Sequence, residues 1–429
     1  MKKFAILTLG CRVNHYESQV LSEKLSKLGY ESAPFNDKCD VYIVNSCAVT
    51  EESVRKSKQM VRRAAKKNPD ALIMVCGCAS QLHKGDFEKI KEISFIYGTR
   101  NKDALISALK ARINGENAPR VIVDEPNSTL TPTSITRFDR TRAYVKIQDG
   151  CENKCAYCII PKVRGNVVLR PEDEIICEVK ALADNGCHEV VLTGIETSAY
   201  GDRLPILIEK IAEIDGIHRI RLGSLEPSFM KKQFVDAIAK TDKVCPHFHI
   251  SVQNGSDNVL RAMRRRYNVK MLEDNVAYLR SVIPNCNLSA DVIVGFPGES
   301  EEDFLSTCEF VKRNAFLHLH IFTYSPRPGT EAAAMDNQLP EAVKTERLHR
   351  LSAIADEEKR KILTAMIESG KEIKVLCETY VSGHISGHTD GFVECLVKSD
   401  TAPEKGAIIS VIPDHIGEGK LYCKTKKCR

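Results

Sequence analysis

The sequence predicts an α/β protein in three parts: an N-terminal domain built on a parallel α/β sheet, a central partial (β/α)6 barrel, and a small C-terminal β-barrel. Three observations lead there. Over the first 125 residues, short β-branched runs alternate with amphipathic helical stretches, which is the pattern of parallel βαβ units. The alternation resumes at Arg142 and carries six further strand-like runs. From Gly370 onward the runs are short, alternate in polarity, and are separated by Gly and Asp turns, as in small antiparallel barrels.

In chain order, strands are expected at 4–9, 41–45, 71–75 and 95–97. Between them, 16–28 reads as a helix closed by Gly29, and 51–67 as a helix stopped by Pro69 after Asn68. A stretch rich in Pro, Ser and Thr, 126–134, breaks the pattern and forms the core of a linker at 126–141. The central strands are expected at 143–147, 189–192, 219–222, 247–252, 288–294 and 318–322. A charged helical segment, 340–369, follows, and the last part contributes runs at 373–377, 392–397 and 407–411. The expected domains are therefore 1–125, 142–369 and 370–429.

Composition narrows the setting. With 43% apolar and 28% charged residues in 429, the chain can bury a core. It has no unbroken apolar run near the ~18 residues a membrane helix needs, so no membrane is expected. The apolar opening 4–9 is short for a secretory signal, and seventeen cysteines then point to a reducing, cytoplasmic setting with thiols as metal ligands or buried apolar residues. A net charge of +5 does not by itself demonstrate a nucleic-acid partner. The basic clusters Arg62, Arg63, Lys66, Lys67; Arg264, Arg265, Arg266; and Lys424, Lys426, Lys427 read first as solvated faces or tail.

The strongest chemical signal is Cys151, Cys155 and Cys158, a C-x3-C-x2-C triplet just after the first central strand. Three thiolates on one short loop can hold a four-iron cluster and leave one iron open, where S-adenosylmethionine could chelate through its amino and carboxylate groups. In the N-terminal domain, Cys11, Cys47 and Cys78 each lie just past a strand, at the carboxyl edge where open α/β sheets bind ligands. They could meet in one crevice and hold a second cluster. Cys76 competes with Cys78 for the third place; Cys78 is preferred because it falls in the turn after Gly77, while Cys76 belongs to the apolar run before it.

The triplet, with Tyr157 before its third cysteine, resembles the radical S-adenosylmethionine superfamily. That resemblance implies cofactor contacts from Thr193 and Gly194 after the second central strand, from Ser224 and Glu226 after the third, and from Gly295 and Pro297 after the fifth. The Thr193-Gly194-Ile195-Glu196 segment departs from the superfamily's Gly-Gly-Glu form. With the two cysteine triads taken together, the chain resembles the methylthiotransferase family from Phe4 to about Tyr422. The motifs carrying the likeness are Thr8 to Asn14, Asn45 to Thr50, Gly77 to Gln81, Ile159 to Pro161 with Arg164-Gly165, Tyr324 to Thr330, and Gly387 to Gly391.

The opening Gly10-Cys11-Arg12-Val13-Asn14 followed by His15-Tyr16-Glu17-Ser18 is similar to the branch acting on threonylcarbamoyladenosine in tRNA. The resemblance implies two 4Fe-4S clusters, S-adenosyl-L-methionine, a TRAM-like RNA-binding barrel, and as partners the tRNA anticodon stem-loop, a sulfur source and an electron donor such as flavodoxin or ferredoxin. One S-adenosylmethionine would methylate a sulfur held at the Cys11, Cys47 and Cys78 site. Another would be cleaved at the triplet to a 5'-deoxyadenosyl radical. A radical route is needed because an aromatic C2–H of adenine lies outside the reach of side-chain acid-base chemistry.

Alternatives are a family member acting on isopentenyladenosine or on a ribosomal-protein aspartate, and a non-catalytic iron-sulfur electron carrier with an RNA-binding tail. Cys39, Cys177, Cys187, Cys245, Cys286, Cys308, Cys377 and Cys395 read as buried free cysteines. Cys423 and Cys428 suggest a metal clip only weakly, since no His accompanies them. His247 and His249 share a face of one strand, where they line the barrel interior or pack in the core.

Overall fold

The computed structural model describes residues 2–100, 102–127 and 132–425. Lys426, Lys427 and Cys428 of the basic tail, and 128–131 of the expected linker, lie outside the described residues.

The N-terminal sheet is parallel throughout, built from β1 (Lys3–Thr8), β2 (Glu31–Ser32), β3 (Val41–Ser46), β4 (Leu72–Gly77), β5 (Phe95–Tyr97) and β6 (Val121–Ile122). Their order is β2-β1-β3-β4-β5-β6, so the strand order reverses between β1 and β3. α1 (Arg12–Lys27) begins four residues before the expected start, directly at Cys11, whose extended backbone forms its N-cap. α2 (Glu51–Lys67) is capped by Thr50, whose hydroxyl accepts from Ser53 N. Both faces of the sheet are covered: Val44, Val61, Ile73 and Val75 pack on one side, Phe4, Leu21, Ile43 and Met74 on the other. Strands buried on both faces read as continuous apolar runs, which is why 41–45 and 71–75 were legible.

The described part of the expected linker is anchored rather than loose. Ile135 is buried in the barrel core, the Tyr16 hydroxyl donates to Thr133 O at 2.9 Å, and Thr136 N donates to Glu23 Oε1 at 2.9 Å.

The central unit holds β7 (Arg142–Lys146), β8 (Gln148–Asp149), β9 (Val168–Leu169), β10 (Glu189–Thr193), β11 (Arg219–Leu222), β12 (Ser224–Leu225), β13 (His247–Gln253), β14 (Asn287–Val294) and β15 (His318–Thr323). The order β11-β10-β7 and the order β12-β13-β14-β15 are both parallel, and an Ile220–Val244 bridge joins them. This is the expected partial barrel of six main strands. The outward face of its strands, from Val145 and Leu192 to Leu288 and Val294, packs with the surrounding helices in a single core.

The helix Glu341–Glu368 then ties two cores together, since Leu351 is buried in the central core and Leu363 in the C-terminal one. The last unit closes as β16 (Ile373–Val381), β17 (His384–Thr389), β18 (Glu394–Lys398), β20 (Lys420–Thr425) and β19 (Ile408–Gly417), in that order round the barrel. Sequence reading missed β17 and β20. It also started the 392–397 run too early: Phe392 has φ +64°, so the strand begins only at Glu394.

Candidate active site

A cleft of about 670 Å³ opens between the carboxyl edge of the N-terminal sheet and the mouth of the central barrel. Cys11 and Cys47 line it from one side, and Tyr157, Cys158, Thr193, Gly194 and Ser224 from the other. β1 and β3 flank the point where strand order reverses, so the loops after them splay apart and leave a crevice. Gly10 lets them close again. At φ +96° it adopts a backbone that side chains disfavour, and a Cβ there would stand 2.8 Å from Cys47 Sγ.

Cys78 follows β4 at the start of a short helix, Cys78–Leu82, near enough to Cys11 and Cys47 that negative charge on either would raise its thiol. Cys76 is fully buried on the other face of the sheet, among Leu21 and Leu105. Arg164, itself fully buried, donates from Nε to Cys78 Sγ at 3.4 Å. Its Nη1 pairs with Glu17 Oε1 and Asp149 Oδ1, both at 3.0 Å, and its Nη2 donates to Asn14 Oδ1 at 2.7 Å. Lys102 and Lys146 complete the cluster, 3.5 and 3.7 Å from Glu17. Burial works against charge on Asp149, yet Arg164, then Lys146 and Arg100, hold its carboxyl well below the usual range. This ion cluster locks the cysteine edge of the sheet onto the barrel, because Glu17 belongs to α1 while Asp149 and Arg164 frame the triplet loop.

That loop is held between β8 and β9, which pair antiparallel, and Ala156 seats it against Met263, Phe296 and Tyr324. Each sulfur meets a donor: Asn153 N to Cys151 Sγ at 3.4 Å, Arg265 Nη1 to Cys155 Sγ at 3.1 Å, and the Ile160 N–H toward Cys158. Burial pushes the Cys151 thiol up to about 11 and the Cys158 thiol up to about 12, and Cys78 in the other triad also to about 12. Thiols so buried ionise only beside strong positive charge, which a bound iron centre supplies. Convergent sulfurs with N–H and guanidinium donors aimed at them fit thiolate-bound iron better than they fit three core cysteines.

Of the expected cofactor contacts, Thr193, Gly194 and Ser224 line the cleft. Glu226 is buried beside the triplet, accepting from Asn153 Nδ2 at 3.2 Å and lying 3.6 Å from Arg265 Nη2. Gly295 and Pro297 lie outside the cleft lining. Gly295 needs to be small for another reason: at φ +72° a Cβ would strike Lys344 Cγ at 2.4 Å, on the long helix. Glu196, after β10, is pushed up to about 7 by burial and then by the charge of Glu226.

Sequence reasoning named Arg164 and Glu17 only as motif residues and Arg265 only in a basic cluster, and it gave Asp149 no role. It left His249 open, and Asp291 and His320 unassigned. His249 Nε2 donates to Asp291 Oδ2 at 3.1 Å and its Nδ1 meets Ser289 Oγ at 2.9 Å, and Ser289 Oγ reaches His247 Nε2 at 3.0 Å. His320 sits opposite Asp291 in the β14–β15 register, and both line the cleft. The available signal was alternation, since positions 247, 249, 289, 291, 318 and 320 share the face that the strand pairing turns toward the lumen.

Residues 145–311 match the family model of the radical SAM superfamily, and residues 3–98 match that of the uncharacterized protein family UPF0004. The chain is 36% identical to the threonylcarbamoyladenosine tRNA methylthiotransferase MtaB of Bacillus subtilis, over 96% of this chain and 93% of that one. It is 37% identical to the protein of the same name in Thermotoga maritima, over 92% and 91%. It is also 36% identical to the tRNA-2-methylthio-N(6)-dimethylallyladenosine synthase of Helicobacter acinonychis, over 99% of each.

Among solved structures, the radical S-adenosylmethionine methyltransferase TsrM of Kitasatospora setae, with cobalamin and a [4Fe-4S] cluster bound, superposes with a TM-score of 0.59 at 15% identity. The match covers 78% of this chain and 77% of that one, a likeness of fold. A radical S-adenosylmethionine domain works with a [4Fe-4S] cluster and S-adenosylmethionine. This domain and relatives matched along nearly its whole length place the chain in the radical S-adenosylmethionine methylthiotransferase family.

Proposed function

We propose that the protein converts N6-threonylcarbamoyladenosine, next to the anticodon on its 3' side, into 2-methylthio-N6-threonylcarbamoyladenosine in tRNA. The observation that carries this reading is a single cleft lined by Cys11 and Cys47 of one triad and by Cys158 of the other. In this reading Cys151, Cys155 and Cys158 hold the cluster that binds S-adenosylmethionine, and Cys11, Cys47 and Cys78 hold a second. Bound there, these groups supply one-electron chemistry and an activated sulfur, which the side chains alone lack.

The protein's own residues position and shield. Arg265 and Asn153 stabilise charge on the triplet sulfurs, while Arg164 does so at Cys78. Thr193, Gly194, Ser224 and Glu226 border the triplet and suit the polar end of S-adenosylmethionine, with Glu196 and Glu226 offering acceptors to its ammonium. Ile159, Ile160, Ile293 and Phe322 give the cleft apolar walls that limit access of water and stray hydrogen donors. The target base has to leave its stack to enter the cleft. The C-terminal barrel, TRAM-like in topology, would grip the anticodon stem-loop through Lys and Arg contacts. An electron donor of the flavodoxin or ferredoxin class, a sulfur source and a cytoplasmic setting complete the proposal. No helix among the described residues is long and apolar enough to cross a membrane.

The Helicobacter relatives carry the name of the dimethylallyladenosine enzyme, so that substrate is the competing reading. Mass spectrometry of tRNA nucleosides from a strain lacking the gene separates the two. Disappearance of 2-methylthio-N6-threonylcarbamoyladenosine supports the proposal, and disappearance of the isopentenyl product in its place removes it.

A further inference from the structure

Arg12 is the first residue of α1, immediately after Cys11, and it lines the cleft. Among the described residues its guanidinium makes no ion pair and no hydrogen bond. The arginines whose charges it meets, Arg221 and Arg142, are neutralised, as is Arg164, while Arg327, which also lines the cleft, makes no ion pair among the described residues and donates to Ser325 Oγ at 2.6 Å. Arg221 pairs with Glu189 at 2.8 Å, Arg142 with Glu189 at 3.2 Å and with Glu378, and Arg164 with Glu17 and Asp149. Asp291, the carboxylate whose charge Arg12 feels across the cleft, is engaged at 3.1 Å by His249 and stands beyond ion-pairing reach of Arg12. A forked cation with no counter-ion, in a cleft that Tyr157, Ile159 and Phe322 also line, is poised for a carboxylate brought in by a ligand.

The geometry points to Arg12 as the residue that reads the carboxylate of the threonylcarbamoyl group on the substrate base, with Asp291, His249 and His320 facing that group's hydroxyl and urea N–H. This rests on the substrate proposed above and deepens it. The threonylcarbamoyl group offers an anion for Arg12 together with donors for Asp291. An isopentenyl group offers neither, and would leave Arg12 desolvated without a partner. A site built around a charged group rejects an analogue lacking it far more strongly than an apolar pocket rejects an extra methylene.

The test uses the reconstituted full-length protein and three synthetic anticodon stem-loops, carrying threonylcarbamoyladenosine, its C-terminal methyl amide, or isopentenyladenosine. The wild type is expected to prefer the acid over the amide in kcat/KM on the order of 100-fold, the usual cost of unpairing a buried charge. Arg12→Gln is expected to bring that ratio close to one by losing the acid, and Arg12→Lys to keep part of it, since a lysine supplies charge without the fork.

Equal use of acid and amide by the wild type would overturn the assignment without any variant. So would an Arg12→Gln protein that still prefers the acid. A loss common to both RNAs would place Arg12 on a backbone phosphate, and a loss of S-adenosylmethionine affinity in equilibrium dialysis would place it on that cofactor's carboxylate; either result overturns the proposal. If the wild type modifies only the isopentenyl RNA, it is the substrate reading that has failed, and the Arg12 assignment falls with it.

Discussion

Arg164 offers the sharpest test of how the two halves of the site are held together. Replacing it by Met removes a fully buried guanidinium that pairs with Glu17 and Asp149 and donates to Asn14 and Cys78. Breaking a buried ion pair from one side costs about 3–5 kcal/mol because the remaining charge is stranded. Here Lys146 stays within 3.2 Å of Asp149, and Lys102 within 3.5 Å of Glu17, so neither carboxylate loses all compensation. The lower end, about 3 kcal/mol, is therefore expected.

At about 2 °C per kcal/mol for a large domain, the first thermal transition should fall by about 6 °C. Circular dichroism of the anaerobic protein measures it, the sequence having no tryptophan for fluorescence. The cluster also predicts strong non-additivity. Arg164→Met combined with Glu17→Gln and Asp149→Asn should be more damaged than Arg164→Met alone, because buried Lys102 and Lys146 then lose their carboxylate partners. A shift below about 1 °C for the single variant, or a triple variant at the sum of its parts, would refute the reasoning.

Three further outcomes follow from the same geometry. Alanine at Cys11, Cys47 and Cys78 together should lower bound iron from about eight to about four atoms per chain by colorimetric assay, and the same change at Cys151, Cys155 and Cys158 should do likewise; a single variant that removes all iron would contradict independent sites. Arg265→Leu withdraws a positive donor 3.1 Å from Cys155 Sγ, so the triplet's cluster should become harder to reduce, seen as a negative shift in an EPR-monitored titration. His318, packed edge-on against Phe392 of the terminal barrel, is pushed down to about 4 by burial and then by Lys359. Its folded-state pKa lies below the unfolded value of about 6.5, so its stabilising share is present above that pH and is lost as pH falls toward 4. His318→Phe should flatten the fall in thermal midpoint between pH 7 and 5, and an unchanged slope would show that this histidine is not responsible.

The sequence by itself determined the three-part α/β architecture and the places of Cys11, Cys47 and Cys78 just past strand ends. Apolar runs mark strands buried on two faces, and a cysteine one to three residues past such a run must lie at the carboxyl edge of a parallel sheet. Cys11, Cys47 and Cys78 were legible for that reason, as was Cys76 as a strand residue. The C-terminal barrel was only partly legible. Its strand β17 contains Gly387, whose Cβ position is taken by Leu376 O at 2.1 Å, and its turn at Phe392 requires a left-handed backbone that no pattern announces.

Only the tertiary structure decided which charges meet. Glu17 and Asp149 are 132 positions apart and become partners because one arginine is buried between two domains. The same packing turned Gly295 toward Lys344 rather than the cleft, and left Arg12 in the cleft without a counter-ion. Periodicity tells which face a side chain takes, since that is set by the local backbone; its neighbour across the interface is set by how the sheet docks on the barrel, and no local pattern carries that information.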